Sequence, residues 1–401
     1  MSSSDFIIIQ KYGGATLSDP EKIRQVAKRL SELAKEGKKL VVVVSAMGKT
    51  TNQLIELAQQ VSQNPKGREL DMLLSTGERV SMALLSLALN DLGTPAISFT
   101  GSQAGILTDD SHVSASIIDI NAPRVKEALA NNKIVVLAGF QGVSPKTKEI
   151  TTLGRGGSDI TAIAMAAYLK AYRCEILKDV DSVFTADPKI VKNAKPIHQL
   201  TYQQLLEMTF WGAKFLNYRS VEHAAKHQVP IYIGPAANKE AKGTTIDLDT
   251  EIKDKKTNEI LAINSHETVL KLILKQKNQK DFMLDLESDL LKKDLPLPQL
   301  LLFNQIEKET SAYLTAPAEQ IKSMEIFFQS QNKFQQTEQK LSSVTTTCVE
   351  KTSVELIKKM TALLSKNKIT IEHTDSNNMS ISFFVPQEQR TQTIELLHSL
   401  I

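Results

Sequence analysis

All 17 glycines of this 401-residue chain lie between Gly13 and Gly243, and none follows. Glycine serves where backbone must turn with positive φ or approach a ligand closely. The distribution therefore places the chemistry before Gly243 and predicts a different architecture after it. A chain of this length exceeds the usual single core, so two or three domains of roughly 100 to 250 residues are expected.

The first part reads as alternating strands and helices. An apolar run, Phe6 to Ile9, precedes a helix announced by Asp19 and Pro20, in which Ile23, Val26, Ala27, Leu30 and Ala34 recur at helical spacing before Gly37 stops it. Leu40 to Val44 is apolar without alternation, as befits a strand buried on both faces of a largely parallel sheet. The pattern recurs at Ile134 to Ala138, followed by a helix over Asp159 to Lys170, and again at Val229 to Ile233. This is the signature of an α/β layered domain.

From about Thr257 the chain is rich in Lys and Gln. Val344 to Val349 predicts a strand, and Thr352 with Glu355 a capping box for a helix through Leu364. Lys368 to His373 and Met379 to Val385 predict a hairpin around Asp375 to Asn378, and Pro386 opens a last helix. That is the element order of a small βαββαβ module, and Leu261 to Phe328 reads as a second, blurrier copy.

A formal charge of +3 and the lack of any long like-charge block argue against nucleic acid and membrane partners. Met1 to Gln10 carries no basic segment and only a short apolar run, so a cytoplasmic location is expected. Cys174 and Cys348 are isolated from each other and from any Cys/His cluster, which predicts neither a disulfide framework nor structural zinc.

Two glycine motifs could carry phosphate chemistry. In Gln10-Lys11-Tyr12-Gly13-Gly14-Ala15-Thr16, paired glycines present N–H groups at a helix start and Lys11 adds a positive charge. The bland reading is an ordinary tight turn. In Thr151 to Asp159, Arg155 could grip a carboxylate, Gly156, Gly157 and Ser158 could expose amides at a helix N-terminus, and Asp159 could orient a catalytic lysine. A plain cap is the alternative, although a cap needs only the Ser or Asp. Gly48-Lys49-Thr50 is not a P-loop, because the pattern requires Gly where Val43 stands. Gly77-Glu78-Arg79 interrupts a helical pattern from Met72 to Leu89, leaving Glu78 either a helix-surface charge or a carboxylate aimed at an ammonium. His223 and His227 share a helix face but have no third ligand in the sequence nearby, so a solvated face is expected.

Taken in order, Lys11 to Gly14, Ser45 to Asn52, Gly77 to Arg79, Phe99 to Gly105, Thr151 to Asp159, Asp179 to Pro188 and Gly212 to Lys214 resemble the monofunctional aspartokinases of the amino acid kinase superfamily, across residues 6 to 246. The last sixty or so residues are similar to the second ACT module of those enzymes. The resemblance implies a three-layer α/β sandwich with a largely parallel sheet over 1–250, a degenerate ACT-like module over 257–340 and an ACT-like module over 341–401. It also implies transfer of the γ-phosphoryl of ATP, with Mg2+, to the β-carboxylate of L-aspartate, ahead of lysine, threonine and methionine synthesis. Lys11 and Asp159 would be catalytic. Ser45, Thr50, Glu78, Arg155 and Ser158 would hold aspartate, and Gly13, Gly14, Gly156, Gly157, Asp179, Phe184, Lys189 and Lys214 the nucleotide. No residue is expected to hold a resident metal.

The chain departs from the family pattern at three places. Ser182 stands where Gly is usual, Lys178 where a small hydroxyl residue is usual, and Gly234-Pro235-Ala236 replaces an Arg or Gly followed by Ser-Ser. The absence of glycine after Gly243 removes the Asp-x-Pro-Gly type of effector loop. Feedback by lysine or threonine is therefore expected to be weak or absent, with the C-terminal part serving a homodimer or larger assembly. The competing readings are another superfamily member, acting on glutamate, acetylglutamate, carbamate or UMP, and a non-catalytic regulatory subunit of the same fold.

Overall fold

The computed structural model describes residues 6–236, 241–247, 259–274, 282–293, 295, 297–306, 309–331, 334–336 and 340–401. They fall into two compact units, one drawn from 1–183, 196–209 and 214–255, the other from 184–195, 210–213 and 256–401.

Chain order in the first part is β1 (Ile7–Tyr12), α1 (Pro20–Lys35), β2 (Lys39–Val44), α2 (Thr50–Val61), α3 (Gly67–Leu74), α4 (Thr76–Asp91), β3 (Ala96–Phe99), β4 (Ile106–Thr108), β5 (Ile117–Ile120), α5 (Pro123–Ala130), β6 (Ile134–Ala138), β7 (Gln141–Val143), β8 (Ile150–Thr152), α6 (Gly157–Leu169) and β9 (Arg173–Lys178). There follow β10 (Val183–Phe184), β11 (Pro196–Ile197), β12 (Gln199–Leu200), α7 (Tyr202–Phe210), α8 (Tyr218–His227), β13 (Ile231–Pro235) and β14 (Thr244–Ile246). Eight strands form one sheet in the order β12-β14-β13-β9-β1-β2-β6-β3. All of its pairings are parallel except β13 with β14.

The reasons are local. Leu40 to Val44 is wholly buried, because β2 lies between β1 and β6 with both faces covered. Asp19 caps α1 by accepting from the Lys22 amide at 3.0 Å, and Pro20 occupies the first turn, where its missing N–H costs nothing. Ile23, Val26, Ala27 and Leu30 face Leu85 and Leu89 of α4 in one core. The helical pattern around Glu78 breaks at Ser75, between α3 and α4, rather than at Gly77 to Arg79. The stretch Gly67–Asp91 is long and apolar enough to span a bilayer by composition, yet half of its most apolar window is buried in this core.

The second part runs β15 (Ile260–Leu274), α9 (Phe282–Lys292), β16 (Gln299–Ile306), β17 (Glu309–Thr315), α10 (Ala318–Ser330), β18 (Phe334–Gln336), β19 (Leu341–Cys348), α11 (Val354–Lys366), β20 (His373–Ser376), β21 (Ser380–Pro386) and α12 (Arg390–His398). Its sheet runs β16-β17-β15-β19-β21-β20, with β18 also on β15. The long β15 is shared, pairing with β19 from Ile260 to Val269 and with β17 from Leu270 to Leu274. Two strand-and-helix assemblies thus meet along one strand. Each has its own core, one around Val344, Met360, Phe383 and Leu397, the other around Leu272, Leu290, Met324 and Phe328.

Details of the tail shift by a few residues from the sequence reading. Ser353, not Thr352, caps α11, accepting from the Leu356 amide at 3.0 Å, because the Thr352 hydroxyl is taken by the Asn377 carbonyl at 2.7 Å. The hairpin strand begins only at His373, since Lys368 closes α11 in the left-handed conformation with φ 59°. A short 3-10 turn over Gln387–Gln389 intervenes between Pro386 and α12.

Candidate active site

Parallel strands bring their C-terminal ends to one edge of the sheet, where loops and helix starts can converge on a ligand. In the first unit β1 ends at Tyr12, β2 at Val44 and β6 at Ala138, and Gly13, Ser45 and Gly139 follow directly. Lys11, on β1, lies with its Nζ 2.6 Å from Asp159 Oδ1 of α6, both side chains more than nine-tenths buried. A buried pair of this kind holds a cation where solvent cannot screen it.

The turn after β1 is built for close backbone approach. The Gly48 amide donates to the Gly14 carbonyl at 3.0 Å, and a Cβ on Gly14 would sit 2.8 Å from the Ala46 carbonyl oxygen. The 3-10 turn that starts at Gly14 carries no side-chain cap, so its leading amides are not consumed by a side chain. The same holds for α6. Its N-cap is Gly156, left-handed at φ 72°, and no side chain caps it. A Cβ there would meet Asn217 at 2.5 Å, and one on Gly157 would meet Phe140 at 2.8 Å. The helix accordingly begins two residues ahead of Asp159, the residue the sequence suggested as its opener. Gly139 lets the end of β6 pass against Ser158, whose Oγ would lie 2.9 Å from an added Cβ.

Glu78 is not the helix-surface charge that its spacing allowed. It is 3% exposed, and its Oε1 accepts from the Ala46 amide at 3.1 Å, while Oε2 has no partner among the described residues. Burial pushes its carboxyl up to about 7. A carboxylate so placed is costly unless a cation arrives. Gly77 permits this approach, since a Cβ there would be 2.9 Å from that of Ala46. Within the same loop the Thr50 hydroxyl donates to the Met47 carbonyl at 2.6 Å, and Ser45 is part-buried with its amide on the Tyr12 carbonyl at 3.1 Å. Arg155 is exposed on the loop before α6.

The expected nucleotide residues divide between the units. Asp179 and Lys214 are exposed in the first, whereas Phe184 and Lys189 belong to the second, where the Lys189 amide donates to Asp187 Oδ1 at 2.9 Å. Lys178, flagged only as a departure, reaches the Phe215 carbonyl, next to Lys214. In the Phe99 to Gly105 motif, packing demands both glycines. A Cβ on Gly101 would lie 2.0 Å from the Gln141 carbonyl oxygen, and one on Gly105 1.7 Å from that of Asn121.

Sequence reasoning missed two buried arrangements. Asp71 of α3 receives Thr152 Oγ1 at 2.5 Å, the Val113 amide at 3.0 Å and His112 Nδ1 at 2.7 Å, tying β8 to the preceding loop. Glu175 takes Gln10 at 2.6 Å across the β1–β9 pairing and Arg173 at 2.7 Å. An Asp or Glu in an amphipathic pattern carries no mark of such roles. His223 lines a cavity with Arg219, Glu222 and Lys226, and burial lowers it to about 4, while His227 is exposed. Among the described residues no three His, Cys, Asp or Glu side chains converge as metal ligands.

The family model described as the amino acid kinase family matches residues 6–235. The chain belongs to this family. Among curated relatives, an aspartokinase of Mycobacterium tuberculosis is 53% identical over 227 residues, 57% of this chain and 54% of that protein. One of Geobacillus stearothermophilus is 49% identical over 240 residues, 60% of this chain and 58% of that protein. The chain thus spans about half the length of the curated relatives it matches. Of solved structures, an aspartate kinase from Synechocystis is 31% identical with TM-score 0.55, covering 98% of this chain and 69% of that one. Escherichia coli aspartokinase III, in complex with aspartate and ADP, has TM-score 0.81 at 22% identity over 98% of this chain and 99% of that one, a likeness of fold.

Proposed function

We propose that this chain is an aspartate kinase, transferring the γ-phosphoryl of ATP to the β-carboxylate of L-aspartate to give 4-phospho-L-aspartate. The observation that carries the reading is the buried Lys11–Asp159 pair at the glycine-lined sheet edge, with the half-satisfied carboxylate of Glu78 of α4 turned to the neighbouring loop after β2. A carboxylate acceptor is already a nucleophile and needs no general base. The site must supply in-line positioning and neutralise the charge that spreads over the transferring group.

Lys11 does the second, held by Asp159. Gly13 and Gly14 offer amides to phosphate oxygens, and the uncapped start of α6, with Gly156 and Gly157, favours an anion. Glu78 takes the substrate ammonium, Arg155 its α-carboxylate by a two-pronged contact, and Ser45, Thr50 and Ser158 its remaining polar contacts. Asp179, Phe184, Lys189 and Lys214 are assigned to the nucleotide. Mg2+ enters on the nucleotide's oxygens and keeps several waters. The M. tuberculosis relative is named an aspartokinase, and the E. coli structure holds aspartate and ADP, both of which support this choice of substrate over other acceptors used in the family.

The C-terminal strand-and-helix pair is assigned as two ACT-like modules that serve assembly into a homodimer or larger, with weak or absent feedback by lysine or threonine. Lys11→Ala lowers turnover by at least ~100-fold, the scale for loss of a preorganised transition-state donor. Near-normal turnover in that variant sinks the assignment.

A further inference from the structure

Lys178 has no role in the site as described, yet its placement gives it one. In the parallel pairing of β1 with β9, Lys11 stands opposite Ile176. Side chains two residues apart on a strand share a face, so Lys178 projects from the same face as Lys11, one strand away and at the same edge. It also pairs with Pro235 of β13, which puts it inside the sheet rather than on a free border.

The described residues fill only one of its donors. An ammonium has three donors, and among the described residues the Lys178 Nζ has one partner, the Phe215 carbonyl, and no carboxylate within ion-pair distance. Asp159 is already held by Lys11 at 2.6 Å. The charged groups that face Lys178 are Asp159 and Asp179, which favour its charge, and Lys11, which opposes it. Burial outweighs them and holds the amine below the ordinary lysine range. A largely buried cation with no carboxylate in ion-pair contact is expensive unless an anion is delivered to it.

We propose that Lys178 is a second phosphate-binding cation of the transfer site, contacting the triphosphate of the bound nucleotide beside Lys11. Its bond to Phe215 fixes the ammonium and steadies the segment that carries Lys214 and Asn217. This inference rests on the kinase reading, and it assigns a phosphate contact to a position where the family pattern usually has a small hydroxyl residue.

The test is calorimetric titration of the full chain with the non-hydrolysable triphosphate AMP-PNP and with AMP, each with Mg2+, on the parent, Lys178→Met and Lys178→Arg. Lys178→Met weakens AMP-PNP about tenfold or more, the scale of a lost charge-assisted bond, leaves AMP within about twofold of the parent, and Lys178→Arg restores most of the loss. A thermal melt run alongside separates a folding defect from a binding one. Equal loss for AMP and AMP-PNP, or no loss for either, overturns the inference and leaves the kinase reading standing. Failure of the parent itself to bind either nucleotide overturns both.

Discussion

The region up to Gly243 and the region after it solve the same problem, reversing the chain between packed elements, with different residues. The C-terminal region turns without glycine. Lys368 takes φ 59° to end α11, and the Asn377 side chain closes the β20–β21 turn by accepting from the Met379 amide at 2.7 Å and the Ser380 amide at 2.8 Å. The N-terminal region also uses non-glycine residues at left-handed positions, among them Asn132, Lys170 and Gln228. Turning alone therefore does not require glycine. Gly14, Gly77, Gly101, Gly105, Gly139 and Gly157 are needed for a different reason, because a Cβ at any of them would lie within 3.0 Å of another part of the chain. The glycines mark close approach, and Gly14, Gly77, Gly139 and Gly157 do so around Lys11, Glu78 and Asp159.

The sharpest way to break this contrast is Gly105→Ala. With φ 74° and a Cβ only 1.7 Å from the Asn121 carbonyl oxygen, the variant loses more than about 4 kcal/mol, beyond the usual range for a point substitution. Denaturant unfolding of the full chain checks it, and a loss under 1 kcal/mol (about the cost of an ordinary left-handed non-glycine residue) would show that the loop yields easily.

Next in size is Glu78. Its carboxyl has a folded-state value raised from 4.5 to about 7. The unfolded chain ionises first, so the fold is penalised progressively as pH rises from about 4.5 to about 7, reaching on the order of 3 kcal/mol above that. Glu78→Gln is predicted to be more stable than the parent by a margin that grows over this window and vanishes below it. Binding shows the opposite sign. Substrate ammonium needs the ionised form, so the KM for aspartate rises as pH falls through about 7 in the parent, and the variant shows a high KM without that dependence. Melts that track one another across the window would remove Glu78 from the account.

The smallest effect comes from the C-terminal region. Lys368→Gly relieves a left-handed lysine at the end of α11 and changes stability by no more than about 1 kcal/mol in either direction, since the relief is offset by glycine's greater unfolded-state freedom. A loss of several kcal/mol would mean that the lysine side chain itself holds the helix end.

The sequence made much of this legible. Apolar Leu40 to Val44 declared a doubly covered strand, and Asp19-Pro20 a helix start. The Lys11 and Asp159 motifs, more than a hundred residues apart, each stood out because charge and glycine fell at a strand end or helix start, and the fold joins them in one ion pair. Other features depended on tertiary context. Spacing alone could not place Glu78 inside, because α4 is apolar on more than one side, with Val80 and Leu87 exposed and Leu85 and Leu89 buried. The helix cap at Ser353 was one residue off because a hairpin carbonyl claimed the Thr352 hydroxyl first. Lys178 was visible only as an oddity until strand register put it beside Lys11.

The most direct test of the central claim is ATP-dependent formation of aspartyl hydroxamate from L-aspartate by the purified chain, with Lys11→Ala beside it and glutamate, acetylglutamate, carbamate and UMP as competing acceptors. The account predicts turnover with aspartate above every other acceptor, reduced at least ~100-fold in Lys11→Ala. Nucleotide binding without turnover on aspartate would contradict it, and would point to another acceptor or to a non-catalytic member of the family.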